Sequence, residues 1–168
     1  MVTDAASVPQ LPSGRFSGPH AFERHLCDAL ACAAQQGWRE LMLCDFNFED
    51  WPLNKLEVQE SLSHWAAPGR RLTLLAVRYD EMVRRHPRFV SWRRRWDHLL
   101  DCRVGRSATA DDFPSALLGP HWFLQRIDRA RSVCLCGTNP EQLFALREGQ
   151  RQMVRDSVPG FPASTLGL

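Results

Sequence analysis

The sequence predicts an α/β fold: a mostly parallel sheet flanked by helices, with an antiparallel hairpin near its end. Two observations carry this. Short apolar runs, Glu40–Phe46 and Arg71–Val77, alternate with segments of helical periodicity, the order that gives parallel strands joined by right-handed crossovers. Both runs are also apolar at consecutive positions, which suits strands covered on both faces rather than a half-exposed antiparallel sheet. With 168 residues, 44% of them hydrophobic, the chain is long enough to bury one substantial core.

Residues 1–19 hold three prolines, two glycines and four serines or threonines, and are expected to form a flexible arm or a surface strap. A helix begins near His20, because Phe22, Leu26, Ala29, Leu30 and Ala33 recur at helical spacing, and Gly37 suits its end. The first strand run follows. Asn54 is placed to cap a second helix carrying Leu56, Leu62 and Trp65, stopped by Pro68-Gly69. After the strand at 71–77, residues 79–85 suggest a short helix, broken where Pro87 disfavours helical geometry at His86. A further helix, about 88–100, sets Phe89, Trp92, Trp96 and Leu99 on one face, and a third strand follows at 101–104.

The stretch 105–120, with Asp111-Asp112 and two prolines, reads as loop. Trp122–Ile127 and Ser132–Cys136 are two strands whose short connection implies an antiparallel hairpin. Asn139-Pro140 opens the last helix, with proline at its first helical position. The domain therefore spans 20–156. Residues 157–168 cannot be helical across their two prolines and are expected to pack as an extended strap through Phe161 and Leu166.

Composition excludes several functions. No apolar run reaches the ~20 residues of a membrane span, and the first residues lack a basic segment followed by an apolar one, so a cytoplasmic protein is expected. The six cysteines are then reduced thiols that fill a core. A zinc site from Cys44, Cys102, Cys134 and Cys136 has no paired spacing behind it. No glycine-rich phosphate loop or nucleophile elbow is present, and no metal or cofactor is expected. Basic residues exceed acidic ones by two, so any affinity for nucleic acid must come from distribution rather than net charge.

Two clusters stand out. Asp45, Asn47, Glu49 and Asp50 follow the first strand run, at the edge where open α/β sheets place ligands; they read either as oxygen ligands or as capping and turn residues. Arg84, Arg85, Arg88, Arg93, Arg94 and Arg95 are interleaved with Phe89, Trp92 and Trp96. They read either as phosphate contacts beside a stacking aromatic or as the solvated face of an amphipathic helix. Arg94 and Arg95 are the adjacent pair that could face one ligand.

The segment His121–Asn139 carries a resemblance. His121 and Asp128 stand seven residues apart, followed by Gly137, Thr138 and Asn139 at the mouth of a helix. This is similar to the H-x-K-x-x-x-x-D motif of the phospholipase D superfamily, and the element order over residues 20–156 resembles one half of such a domain. The resemblance implies His121 as the nucleophile that attacks phosphorus, Asp128 as its companion aspartate, and Thr138 and Asn139 beside the phosphate. It also implies a homodimer, since one motif supplies only one of the two histidines required. The chain departs from the family at Phe123, which stands where the family has lysine, and Gly137 lies farther from Asp128 than is usual. Charge developing on phosphate oxygens needs fixed donors, and loss of one typically costs ~10²–10³ in rate. The expected function is therefore a catalytically degenerate module that binds a phosphate-bearing ligand, nucleic acid or a protein partner, with an active phosphodiesterase or nuclease working across a dimer as the alternative.

Overall fold

A computed structural model describes residues 10–162. One eight-stranded sheet runs in the order β1-β7-β6-β5-β2-β3-β4-β8. In chain order its strands are β1 (Gly14–Phe16), β2 (Glu40–Cys44), β3 (Arg71–Ala76), β4 (Leu100–Val104), β5 (Ser115–Leu118), β6 (Phe123–Asp128), β7 (Val133–Gly137) and β8 (Val158–Pro159). The helices are α1 (Pro19–Gln36), α2 (Leu56–Trp65), α3 (Asp80–Arg85), α4 (Pro87–Arg95) and α5 (Pro140–Arg155).

The two apolar runs lie side by side as β2 and β3, parallel and in the interior of the sheet, with Leu41 opposite Leu72 and Leu43 opposite Leu74. Burial on both faces explains their unbroken apolar character. Leu41, Leu43, Leu72 and Leu74 point to one face, where α1, α2 and α4 deliver Phe22, Leu26, Leu30, Leu62, Trp65, Phe89 and Trp92. The second face is thinner. Ala116, Leu118 and Phe123 meet Leu143 of α5, and farther along Cys44 and Leu75 meet Phe113, Met153 and Val154.

The α/β class holds, but the parallel share is smaller than expected. Only β2–β3 and β3–β4 pair parallel; the other five pairings are antiparallel. The difference lies in the short terminal strands β1 and β8, which each add one antiparallel pairing, and in β5, which adds two from four residues inside the stretch that reads as loop. Pro114 and Pro120 bracket it, so the local signal is that of a turn, yet Ser115–Leu118 are all buried and join β2 to β6. Tertiary burial, not local propensity, makes this strand.

Helix boundaries follow the sequence signals closely. Gly37 closes α1 in the left-handed region, φ 66°, its N–H bonded to the Ala33 carbonyl. Asn139 caps α5, its side-chain oxygen accepting from the N–H groups of Glu141 and Gln142. Asn54 does not cap α2: Lys55 holds that position, and the Asn54 oxygen accepts from the Arg88 N–H instead. The helix expected over 88–100 ends at Arg95, with one 3₁₀ turn at Asp97–Leu99 before β4.

Both terminal segments enter the sheet. Within the arm, Gly14–Phe16 pair with β7, and the Trp122 indole donates to the Pro12 carbonyl; residues 1–9 lie outside the described part. Within the strap, Val158–Pro159 pair with β4, and Phe161 stacks on Tyr79 with ring centroids 4.7 Å apart; Leu166 lies outside the described residues. No described helix is long and apolar enough to cross a membrane.

Two glycines test this packing. A Cβ on Gly119 would lie 2.4 Å from the buried Trp38 ring, whereas one on Gly149, on the exposed side of α5, would meet nothing within 4 Å. Gly119→Ala should cost about 1–3 kcal/mol by overpacking, and Gly149→Ala should gain about 0.5–1 kcal/mol from helix propensity. Urea unfolding of the two variants measures both; equal stabilities would contradict the packing described.

Candidate functional site

The motif residues divide between two edges of the sheet. His121 is exposed in the turn between β5 and β6, which the Gly119 N–H closes on the Trp122 carbonyl at 2.9 Å. Thr138 and Asn139 follow β7, whose Gly137 pairs with Phe123 at the start of β6. These three exposed residues therefore share one edge. Asp128 ends β6, where it accepts the Arg131 N–H at 3.0 Å and shapes the hairpin turn. At ~3.3 Å per residue the seven-residue interval sets His121 and Asp128 roughly 20 Å apart.

Phe123 begins β6 with 1% exposure, packed with Ala116, Leu118 and Leu143. The site of the family's lysine is thus filled by core. Arg94 and Arg95 are exposed at the end of α4, and no ion pair within 4.0 Å involves them among the described residues. The strand that follows α4, β4, lies four places from β6 in the sheet, or about 19 Å at the usual strand spacing. The structure brings His121, Thr138 and Asn139 together, and places Asp128, Arg94 and Arg95 elsewhere.

The remaining arginines of that basic segment are occupied. Arg84 and Arg85 both bind Glu81, and Arg88 donates to the Asn54 carbonyl. Arg93 is buried, pairing with Asp97 and donating to the Phe161 carbonyl, with its guanidinium 4.9 Å from the Phe161 ring. Phe89 and Trp92 face the core, and Trp96, only partly buried, packs against that core with its ring 5.9 Å from His98.

At the opposite edge the acidic cluster shapes a turn, with the Asn47 and Phe48 N–H groups donating to Asp45 and the Glu49 N–H to Asn47, and Asp45 and Asp50 also join a buried ion network. Asp45, fully buried, accepts from Arg126 at 3.0 Å and from both terminal nitrogens of Arg129 at 2.9 and 3.0 Å. It also accepts the backbone N–H groups of Asn47 and Phe48. Arg126, whose side chain is wholly buried, further binds Asp50 and Ser115 and lies 4.3 Å above the Phe22 ring. Burial pushes the Asp45 carboxyl up, but the hydrogen bonds and charges of Arg129 and Arg126 outweigh it and hold the group below its ordinary value. Arg126 belongs to the face opposite Phe123, as their odd separation requires, so it supplies no cation to the motif edge.

No group of three or more His, Cys, Asp or Glu side chains is arranged for a metal among the described residues. The six cysteines are free and buried, and burial raises their thiols, Cys27 and Cys136 to about 12 and Cys102 and Cys134 to about 11. Thiols raised by burial in this way are little ionised at neutral pH.

With the geometry established, comparison with known proteins adds the fold. No family profile matches the sequence, and no curated protein does. Among solved structures, the chain is similar to TrmBL2, an archaeal chromatin protein described as showing a novel mode of DNA binding. The TM-score is 0.65 at 11% identity, over 94% of this chain and 57% of TrmBL2. The chain thus spans just over half the length of that protein. It is also similar to NucT from Helicobacter pylori, with a TM-score of 0.56 at 7% identity over 88% of this chain and 98% of NucT. Identities this low speak for the fold alone.

The Asp45 network yields a pH signature. Its carboxyl titrates lower in the folded chain than its ordinary 3.8, so its stabilising contribution is complete above that value and is lost as pH falls below it. Asp45→Ala should cost about 3–5 kcal/mol, because it leaves Arg126 buried without its inner partner. The same variant should flatten the acid limb of stability between pH 4 and about 2. Denaturant titrations across that range check both; an unchanged acid limb would remove Asp45 from this role.

Proposed function

We propose that this chain is a catalytically degenerate phospholipase D-like module that binds a phosphate-bearing ligand, nucleic acid foremost. One observation carries the reading: Phe123 fills core space at the cation's position, while His121, Thr138 and Asn139 stay exposed on an open edge. In this reading the Thr138 hydroxyl and the Asn139 amide N–H donate to phosphate oxygens. The Asn139 carbonyl oxygen is already committed to capping α5. Arg94 and Arg95 supply charge farther along the same edge, where β4 begins beside β3. Without a fixed cation at the motif, charge on the phosphate oxygens in a transition state would go unmatched, and binding is what remains.

The exposure of His121 favours one alternative, an active phosphodiesterase in which a second copy of the chain brings another histidine to the same phosphate. Purified protein should show no turnover of bis(p-nitrophenyl) phosphate or single-stranded DNA above a His121→Ala control. Turnover that His121→Ala abolishes would establish the alternative. Binding to an oligonucleotide should weaken steeply with salt, since each neutralised phosphate releases counterions. Replacing Arg94 and Arg95 together with glutamine should flatten that dependence by about one to two phosphate contacts. Salt-independent binding, or none, would sink the phosphate-binding reading.

A further inference from the structure

α5 repeats arginine every four residues, at Arg147, Arg151 and Arg155. That spacing sets all three along one side of the helix. The stripe overhangs the second face of the sheet, where a groove of about 280 Å³ opens between α5 and the first residues of β2 and β3. Its walls are of two kinds. Met42, Thr73, Leu118, Pro120 and Val154 make a largely apolar floor, and Arg71 joins the three helix arginines on the rim. Glu40 is the single carboxylate among the lining residues.

Little of that charge is committed elsewhere. Arg147 donates to the Gly119 carbonyl at 2.7 Å and so steadies the turn that carries His121, but a carbonyl leaves its charge unneutralised. Arg155 bonds to the neutral Gln152. Arg151 meets Glu148 at 3.2 Å, with both side chains nearly half exposed, a contact of little weight in water. Arg71 makes no ion pair within 4.0 Å among the described residues, even though Glu40 is its partner across the β2–β3 ladder. The chain as a whole carries a net charge of +2. Four arginines around one small groove are therefore a local concentration of charge.

Guanidinium forks match phosphate oxygens in pairs and also lie flat against aromatic rings. A slot with an apolar floor and several such forks at its mouth suits a ligand that is planar and weakly polar at one end and multiply anionic at the other. Resting on the phosphate-binding reading above, we infer that this groove is a nucleotide subsite. It takes one unpaired base on the floor between β2, β3 and β5, and the attached phosphate on Arg71, Arg151 and Arg155. The unit is a free nucleotide or one residue of a single strand. A base seated in this groove must leave any duplex, so the site selects unstacked over paired nucleic acid.

Fluorescence anisotropy with a labelled oligo(dT), its duplex with oligo(dA), and competition by a free mononucleotide or inorganic phosphate test this. The single strand should bind about tenfold or more tightly than the duplex. Thr73→Phe places a ring over the groove floor without changing charge, and should weaken the single strand by about tenfold. Arg71→Gln with Arg151→Gln should both weaken it and reduce the salt slope by about two contacts. Thermal melts of all variants show whether they fold. Arg151 is exposed, so Arg151→Gln alone remains informative should Thr73→Phe fail to fold. Competition by mononucleotide at concentrations where inorganic phosphate has no effect assigns the site to free nucleotides; competition only by the strand assigns it to single-stranded nucleic acid. Duplex binding equal to single-strand binding overturns the inference. So does unaltered binding by the groove variants while Arg94→Gln with Arg95→Gln weakens it, a result that leaves the phosphate-binding reading intact. Absence of binding by the wild-type chain to strand, duplex and mononucleotide at low salt overturns both.

Discussion

The ion network around Asp45 sets the terms for the rest of the molecule. Two guanidinium groups and a carboxylate are taken out of water there, at a desolvation cost of several kcal/mol per ion. They are tolerable together because nearly every hydrogen-bonding position is filled: Asp45 by two arginines and two backbone N–H groups, Arg126 by Asp45, Asp50 and Ser115. The bonds tie the loop after β2 to β5, to β6 and to the hairpin turn at Arg129. These are the elements whose mutual placement the chain order alone leaves loose, since β5 must insert between β2 and β6. The network holds that register.

The strict alternation of β6 then divides the chemistry between its two faces. Leu124 and Arg126 belong to the side covered by α1, Phe123 to the side covered by α5. A lysine in place of Phe123 would carry its ammonium into contact with Ala116, Leu118 and Leu143, where no carboxylate waits. Phenylalanine completes the smaller core cluster instead. The same residue packs the core under α5 and leaves this position of β6 without a charge.

Much of the architecture is legible in the sequence because it rests on local signals. The apolar runs of β2 and β3, the left-handed Gly37, the Asn139-Pro140 helix start and the hairpin turn each announce themselves within a few residues. β5 does not, because four residues between two prolines carry a turn signature and only their burial makes a strand. Arg126 and Asp45 are 81 residues apart, and no local pattern links them. The available signal was indirect: an arginine in phase with Leu124 on a buried strand demands a carboxylate, and Asp45 at the end of β2 is the fully buried one. The arginine stripe of α5 was visible as a four-residue repeat, but its meaning depends on Arg71 and the groove floor, which only the fold supplies.

The distribution of charge explains how a chain with almost balanced composition can still present a cationic edge. Arginines at the end where β2 begins retain unneutralised charge, while those near the end of β6 are consumed by Asp45 and Asp50. Those on the α3–α4 segment divide, Arg84 and Arg85 bound to Glu81, Arg94 and Arg95 left in solvent. The buried network opposite pairs two arginines with two aspartates, so its charges cancel and it adds little to the field over the groove. What a polyanion meets at that edge is set by Arg71, Arg147, Arg151, Arg155 and the single carboxylate of Glu40. On β6 the Phe123 position carries no cation, whereas Arg147, Arg151 and Arg155 stand on α5, where long side chains reach into solvent and are held in one geometry by no buried carboxylate among the described residues.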